Sequence, residues 1–121
     1  MEPEIIEDLY TQLMDSPLGI FPALGERLEA PDRQGVYVIY GPRGRVVHVG
    51  RTTTARDGIS QRLRGHMAAN SSFTNVYLRG DGARLRGRYK YRALVVRNRR
   101  HRALLEAYAT GQLCPAHLGT G

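Results

Sequence analysis

Two apolar runs, residues 35–40 (GVYVIY) and 45–50 (RVVHVG), flank Gly41-Pro42-Arg43-Gly44. Val, Ile and Tyr dominate both runs, and the Gly-Pro-Arg-Gly segment is turn chemistry, so together they read as a β-hairpin. Val36, Val38, Tyr40, Val47 and Val49 make both faces of the pair apolar, which puts the hairpin inside a sheet covered on each side. With the turn at 41–44, residue 40 faces 45 and 39 faces 46, which sets Tyr37 opposite His48. Directly opposed side chains are close enough for a phenol and an imidazole to share a hydrogen bond. Residues 89–97 alternate, with Tyr89, Tyr91, Ala93 and Val95 on one face and Lys90, Arg92, Leu94 and Val96 on the other, and give a third strand. Residues 76–79 read as a further short strand between the loops 71–75 and 80–87.

The helical period appears three times. Over 2–15, Ile5, Ile6, Leu9, Leu13 and Met14 recur at helical spacing behind an acidic first turn that favours the helix dipole. After Asp57 as N-cap, Ile59, Leu63 and Met67 form the buried stripe of a helix reaching about residue 69. Arg62 and His66, four apart, lie together along one edge of that stripe. Asn98 caps a third helix over 99–110, with Ala103, Leu104, Leu105 and Tyr108 as its apolar positions and Gly111 as its end. Between the first helix and the hairpin, residues 16–34 mix Pro17, Pro22 and Pro31 with Phe21, Leu24 and Leu28. They read as an ordered connector with a helical turn near 24–28. The expected architecture is α+β: a small central antiparallel three-stranded sheet flanked by helices, with 1–34 as an acidic helical extension and 35–121 as the main domain.

Composition narrows the class. No stretch is long and apolar enough to span a bilayer, and the acidic N-terminus is unlike a secretory signal, so a cytoplasmic protein without membrane attachment is expected. A single cysteine, Cys114, excludes an internal disulfide and a multi-cysteine zinc site. The formal charge of +7 is unevenly spread. Residues 1–32 hold eight carboxylates against Arg27 alone, a net −7, which leaves seventeen bases and three acids, +14, for residues 33–121. Sixteen of those bases are arginine, whose guanidinium fork matches phosphate in bidentate fashion, so nucleic acid is the expected partner.

Three features carry candidate chemistry, each with a structural alternative. Tyr37 and His48 are either a core aromatic with its satisfied partner or part of a site. Arg62 and His66 are either a solvated helix edge or the wall of a cleft. Glu106 is the only carboxylate after Asp81. It either pairs with Arg102 one turn away or serves as a ligand for a hard divalent cation.

Taken together and in order, these residues resemble the GIY-YIG nuclease family. Gly35-Val36-Tyr37 is similar to its first signature triplet, His48-Val49-Gly50 stands where the second would be, Arg62 and His66 match the family's helix residues, and Glu106 matches its metal-binding Glu. The departures are His48 in place of Tyr, a longer loop after Gly50, and Leu118 where Asn is frequent. The resemblance implies DNA hydrolysis dependent on Mg²⁺ (or Mn²⁺): Tyr37, with His48 lowering its pKa, activates water, Arg62 and His66 act on the phosphate, and Glu106 holds the metal. Arg51, Arg99, Arg100 and Arg102 are the expected DNA backbone contacts. One active site would cut both strands only as a homodimer or in two encounters. The alternative is a catalytically inactive module that keeps the fold and binds nucleic acid.

Overall fold

The structure, a computed structural model describing residues 1–119, contains in chain order α1 (Glu2–Asp15), β1 (Gly19–Ile20), β2 (Gly35–Tyr40), β3 (Val46–Arg51), α2 (Gly58–Met67), β4 (Lys90–Val95) and α3 (Arg99–Leu113). The last two residues of the expected 35–121 domain lie outside the described residues. The sheet is antiparallel with order β1-β4-β2-β3, so it has four strands where three were expected. The extra strand is a two-residue contribution of the connector, too short to leave an alternating pattern.

β2 and β4 are the inner strands, β3 lies at the sheet edge rather than inside the sheet as expected, and β2 is buried on both faces. Tyr37 and Ile39 pack with Ile59 and Leu63 of α2, together with Phe21 and Phe73. Val36 and Val38 pack instead with Ile6 and Leu13 of α1 and Leu105 and Ala109 of α3. Helices therefore cover both sides of the sheet, as the apolar hairpin required.

The hairpin register differs from the expectation. Gly41 N–H donates to Arg45 O at 2.7 Å, so the loop is Pro42-Arg43-Gly44, with Gly44 left-handed at φ 88°. A bulge at Val47 then adds a second one-residue slip: Tyr40 faces Val46, but Ile39 faces His48 and Tyr37 faces Gly50. One slip exchanges the two faces of a strand, and a second restores them. Tyr37 and His48 consequently still share a face, as diagonal neighbours with ring centroids 6.1 Å apart.

The connector is integral to the core. Phe21 is fully buried, and the carbonyls of Arg33 and Pro31 accept from Ile59 N (2.8 Å) and Ser60 N (2.9 Å) at the start of α2. These carbonyls satisfy the helix start that Asp57 was expected to cap; the Asp57 carboxylate meets Arg64 at 3.5 Å instead. The turn near 24–28 is not helical; it is closed by Glu26 N donating to Ala23 O. Residues 76–79 form no strand. Phe73–Tyr77 is one π-helical turn, which brings Phe73 and Leu78, five apart, into the core together. α3 runs through Gly111 to Leu113, because Leu113 packs on the second cluster and outweighs the roughly 1 kcal/mol that an interior glycine costs. It ends at Cys114 in the left-handed conformation. No helix among the described residues is long and apolar enough to cross a membrane.

Candidate active site

A cleft of about 500 Å³ opens beside β2, β3, α2 and α3. Tyr37, His48, Arg62, His66 and Glu106 all line it, so the structure brings the five sequence-derived candidates together from four elements.

Tyr37 lies across the bare backbone of Gly50, and its hydroxyl meets His66 Nε2 at 2.7 Å. This replaces the expected contact with His48, whose ring stacks on Phe73 with centroids 4.8 Å apart. His66 Nδ1 contacts Ser71 Oγ at 2.6 Å, so both ring nitrogens of His66 are engaged. Burial pushes the Tyr37 phenol up to about 12, which outweighs the lowering by Arg62 and overturns the expectation of an acidified phenol. Burial likewise takes His48 down to about 3, with His117 and Arg62 adding to the effect. His66 lies well below its ordinary range for the same first cause, with His48 and Arg62 contributing. At neutral pH both imidazoles are therefore uncharged hydrogen-bonding groups.

Arg62 is half-buried and in no ion pair among the described residues. Its charge acts on Tyr37, His48, His66 and Glu106. Glu106 accepts from Arg51 Nη1 at 2.9 Å rather than from Arg102. Burial raises the Glu106 carboxyl and Arg51 opposes the shift.

The four expected backbone-contact arginines separate. Arg102 is 4% exposed, and its guanidinium donates to the carbonyls of Thr52 (3.1 Å), Val96 (3.1 Å) and Arg97 (2.8 Å). It pins α3 to the ends of β3 and β4 and is unavailable to a phosphate. Arg51 lines the cleft in its pair with Glu106. Arg100 is exposed but held by Glu2 through two contacts, 2.9 and 3.1 Å. Arg99 is exposed and in no ion pair among the described residues.

Sequence reasoning missed His117. The segment after α3 runs along the open edge of β3, where Ala116 N and His117 N donate to the carbonyls of Val46 and Val47 at the bulge. This lays the His117 ring 5.4 Å from that of His48 in the cleft wall. His117 Nε2 and His48 Nδ1 are buried with no hydrogen-bond partner among the described residues. A lone histidine in a short tail carries no periodicity to signal this; only the edge strand it covers gives it a place. Leu118 stands exposed at the cleft mouth and adds no polar group.

Among the described residues no group of three or more His, Cys, Asp or Glu side chains could hold a metal ion. The donors therefore do not form an all-protein cage. A single half-buried carboxylate facing an open cleft suits Mg²⁺ or Mn²⁺, which keep waters and take substrate oxygens to complete the octahedron.

No model of a known protein family matches the sequence, and a search of curated proteins finds no match. Among solved structures, the chain is similar to the GIY-YIG N-terminal endonuclease domain of UvrC from Thermotoga maritima, bound to its catalytic divalent cation, magnesium. The match has 25% identity and a TM-score of 0.51 and covers 74% of this chain and 86% of that domain. The chain has a GIY-YIG nuclease-like fold.

Proposed function

We propose that the chain is a divalent-metal-dependent endonuclease that hydrolyses DNA phosphodiesters in the Tyr37–Glu106 cleft. The observation that carries this reading is the meeting of a phenol, an imidazole acceptor, a guanidinium and a carboxylate in one cleft, on a fold shared with an endonuclease domain. Arg62 offers paired N–H donors to the non-bridging oxygens and stabilises the charge that grows there. Tyr37 orients the attacking water. As a phenol near 12 it is protonated at neutral pH, so it takes a proton from water only by passing its own to His66 Nε2. His48 and His117, uncharged, form the aromatic wall beside the phosphate site and add no positive charge there. Glu106 would hold Mg²⁺ or Mn²⁺, which supplies charge neutralisation at the phosphoryl and leaving oxygens.

The test is incubation of supercoiled plasmid with the full chain in EDTA, Mg²⁺ or Mn²⁺, alongside Glu106→Gln. Metal-dependent nicking by the wild type, lost in Glu106→Gln while gel-shift affinity is retained, is the expected result. A second reading, a non-catalytic DNA-binding module, is favoured by the Arg51–Glu106 pair, which already engages the carboxylate. Binding without cleavage under every metal condition would establish it and remove the first.

A further inference from the structure

Four hydrogen bonds behind His66 close into a circuit whose proton positions can be counted. Thr74 Oγ1 donates to the His66 carbonyl O, which can only accept, so the single Thr74 hydroxyl proton is committed. Ser71 Oγ lies 3.1 Å from Thr74 Oγ1 and must therefore supply the proton of that bond. Ser71 Oγ also accepts from Thr74 N at 3.2 Å, which leaves it only acceptor capacity toward His66 Nδ1 at 2.6 Å. Nδ1 must then carry the ring proton. The Nε2 of a neutral imidazole is left bare, and the Tyr37 hydroxyl must donate to it across 2.7 Å.

We propose that Ser71 and Thr74 are positioning residues that lock His66 as the Nδ1–H tautomer, so that Nε2 stands as the acceptor for the Tyr37 proton. The reversed circuit would leave the His66 carbonyl with no donor and set two lone pairs against each other. An unpaired buried acceptor is costly enough to fix the direction. The local fold is built for this return path. α2 ends over Ala68, Ala69 turns through a left-handed φ of 61°, and the π-helical turn brings Thr74 back under the last turn of the helix. His66 and Thr74 are both completely buried, which shields the imidazole and carbonyl ends of the circuit, while Ser71 between them is half-buried in the cleft wall.

The consequence for rate rests on the hydrolytic reading. When a water O–H bond breaks, its proton goes to the Tyr37 oxygen and the original Tyr37 proton crosses to Nε2. The oxygen of that water bonds to phosphorus while the bond to the leaving oxygen breaks, and the leaving oxygen takes a proton from solvent. His66 is then an imidazolium whose Nδ1–H still rests on Ser71. The opposite tautomer would present Nε2–H to Tyr37 and block the transfer.

The tautomer is read directly by long-range ¹H–¹⁵N correlation on the histidine-labelled full chain, with the His66 signals assigned by their loss in His66→Gln. The wild type should show the Nδ1–H pattern. Thr74→Val, nearly isosteric, frees the Ser71 hydroxyl to donate to Nδ1 and should shift His66 toward Nε2–H. Ser71→Thr keeps the acceptor and should preserve the wild-type pattern. In cleavage assays Thr74→Val should lower kcat about 10- to 100-fold with KM within about twofold, the scale at which outer-shell partners of a histidine act. A wild-type His66 that is mainly Nε2–H, or a Thr74→Val protein with unchanged tautomer, overturns the proposal. A chain that never cleaves but shows the predicted tautomer change supports the lock and removes the nuclease reading, so the two failures are distinguishable.

Discussion

Tyr37 faces Gly50 directly across the β2–β3 ladder, and its phenol occupies the space that a side chain at residue 50 would need. A Cβ there would stand 2.4 Å from the Tyr37 hydroxyl oxygen and 2.5 Å from the ring carbon bearing it. The ring cannot retreat without leaving His66. Gly50→Ala should therefore cost about 1–3 kcal/mol, as overpacked cores do, and lower kcat at least about tenfold. Urea unfolding and plasmid nicking measure the two effects. An unchanged midpoint with full activity would show that the ring is not held over residue 50.

Arg62, in no ion pair among the described residues, acts on the phenol, two imidazoles and the carboxylate of the cleft alike. If its fork grips the phosphate as charge builds, Arg62→Ala should reduce turnover about 100-fold, the scale of a lost oxyanion donor, while DNA affinity falls only severalfold. Arg62→Lys, which keeps the charge but loses the planar fork, should recover only part of the rate. An affinity loss that accounts for the whole rate loss would reduce Arg62 to one binding arginine among several.

The legible parts of this chain were those with a period. Ile59, Leu63 and Met67 gave α2 and placed Arg62 and His66 on the cleft edge; the doubly apolar hairpin gave β2 and β3, of which only β2 is an inner strand. What stayed hidden was set by contacts distant in sequence. The three-residue loop and the Val47 bulge together moved His48 from opposite Tyr37 to a diagonal position, and burial within α2 made His66 the phenol's partner. Glu106 has Arg102 one helical turn away, yet it pairs with Arg51, because Arg102 is committed to backbone carbonyls that sequence spacing cannot locate. The two-residue β1 and the tail that carries His117 are too short for any pattern and exist only through the strand edges they cover.

Buried uncharged histidines make the fold sensitive to acid. His48 titrates at about 3 in the folded chain against an ordinary value of 6.5, and His66 is shifted in the same direction. Between those pH values the unfolded chain binds more protons than the folded one, so stability rises with pH across the window and falls on acidification. Each such group contributes a slope of up to about 1.4 kcal/mol per pH unit. The full stabilisation is present above 6.5. His48→Gln should flatten the dependence between pH 6 and 4 relative to the wild type, with the carboxylate contributions common to both chains cancelling. Thermal melts over that range decide it, and parallel curves would mean that His48 is accessible to protons in the folded state.

Phe21 and the carbonyls of Pro31 and Arg33 tie the N-terminal third to the sheet and to the start of α2. Phe21→Ala should cost about 3–5 kcal/mol, the usual range for a buried phenylalanine, and deletion of residues 1–32 should abolish cooperative unfolding. Calorimetry on both variants is the check. A truncated chain that still melts cooperatively would show the hairpin domain to be self-sufficient and the connector a dispensable cover.

Within that same segment, Glu2 holds Arg100 by two hydrogen bonds and meets His101 Nε2 at 3.6 Å, on the exposed start of α3 beside Arg99. An acid placed on a basic edge competes with phosphate for the same guanidinium. Glu2→Ala releases Arg100 without disturbing the buried face of α1, which is carried by Ile6 and Leu13. If DNA runs past this end of α3, the freed arginine adds one phosphate contact. The log–log dependence of affinity on salt should then steepen by about 0.9, with tighter binding at low salt. Fluorescence anisotropy across a salt series measures the slope. Identical slopes for wild type and Glu2→Ala would place Arg100 off the path of the strand and leave Arg99 and the cleft arginines as its contacts.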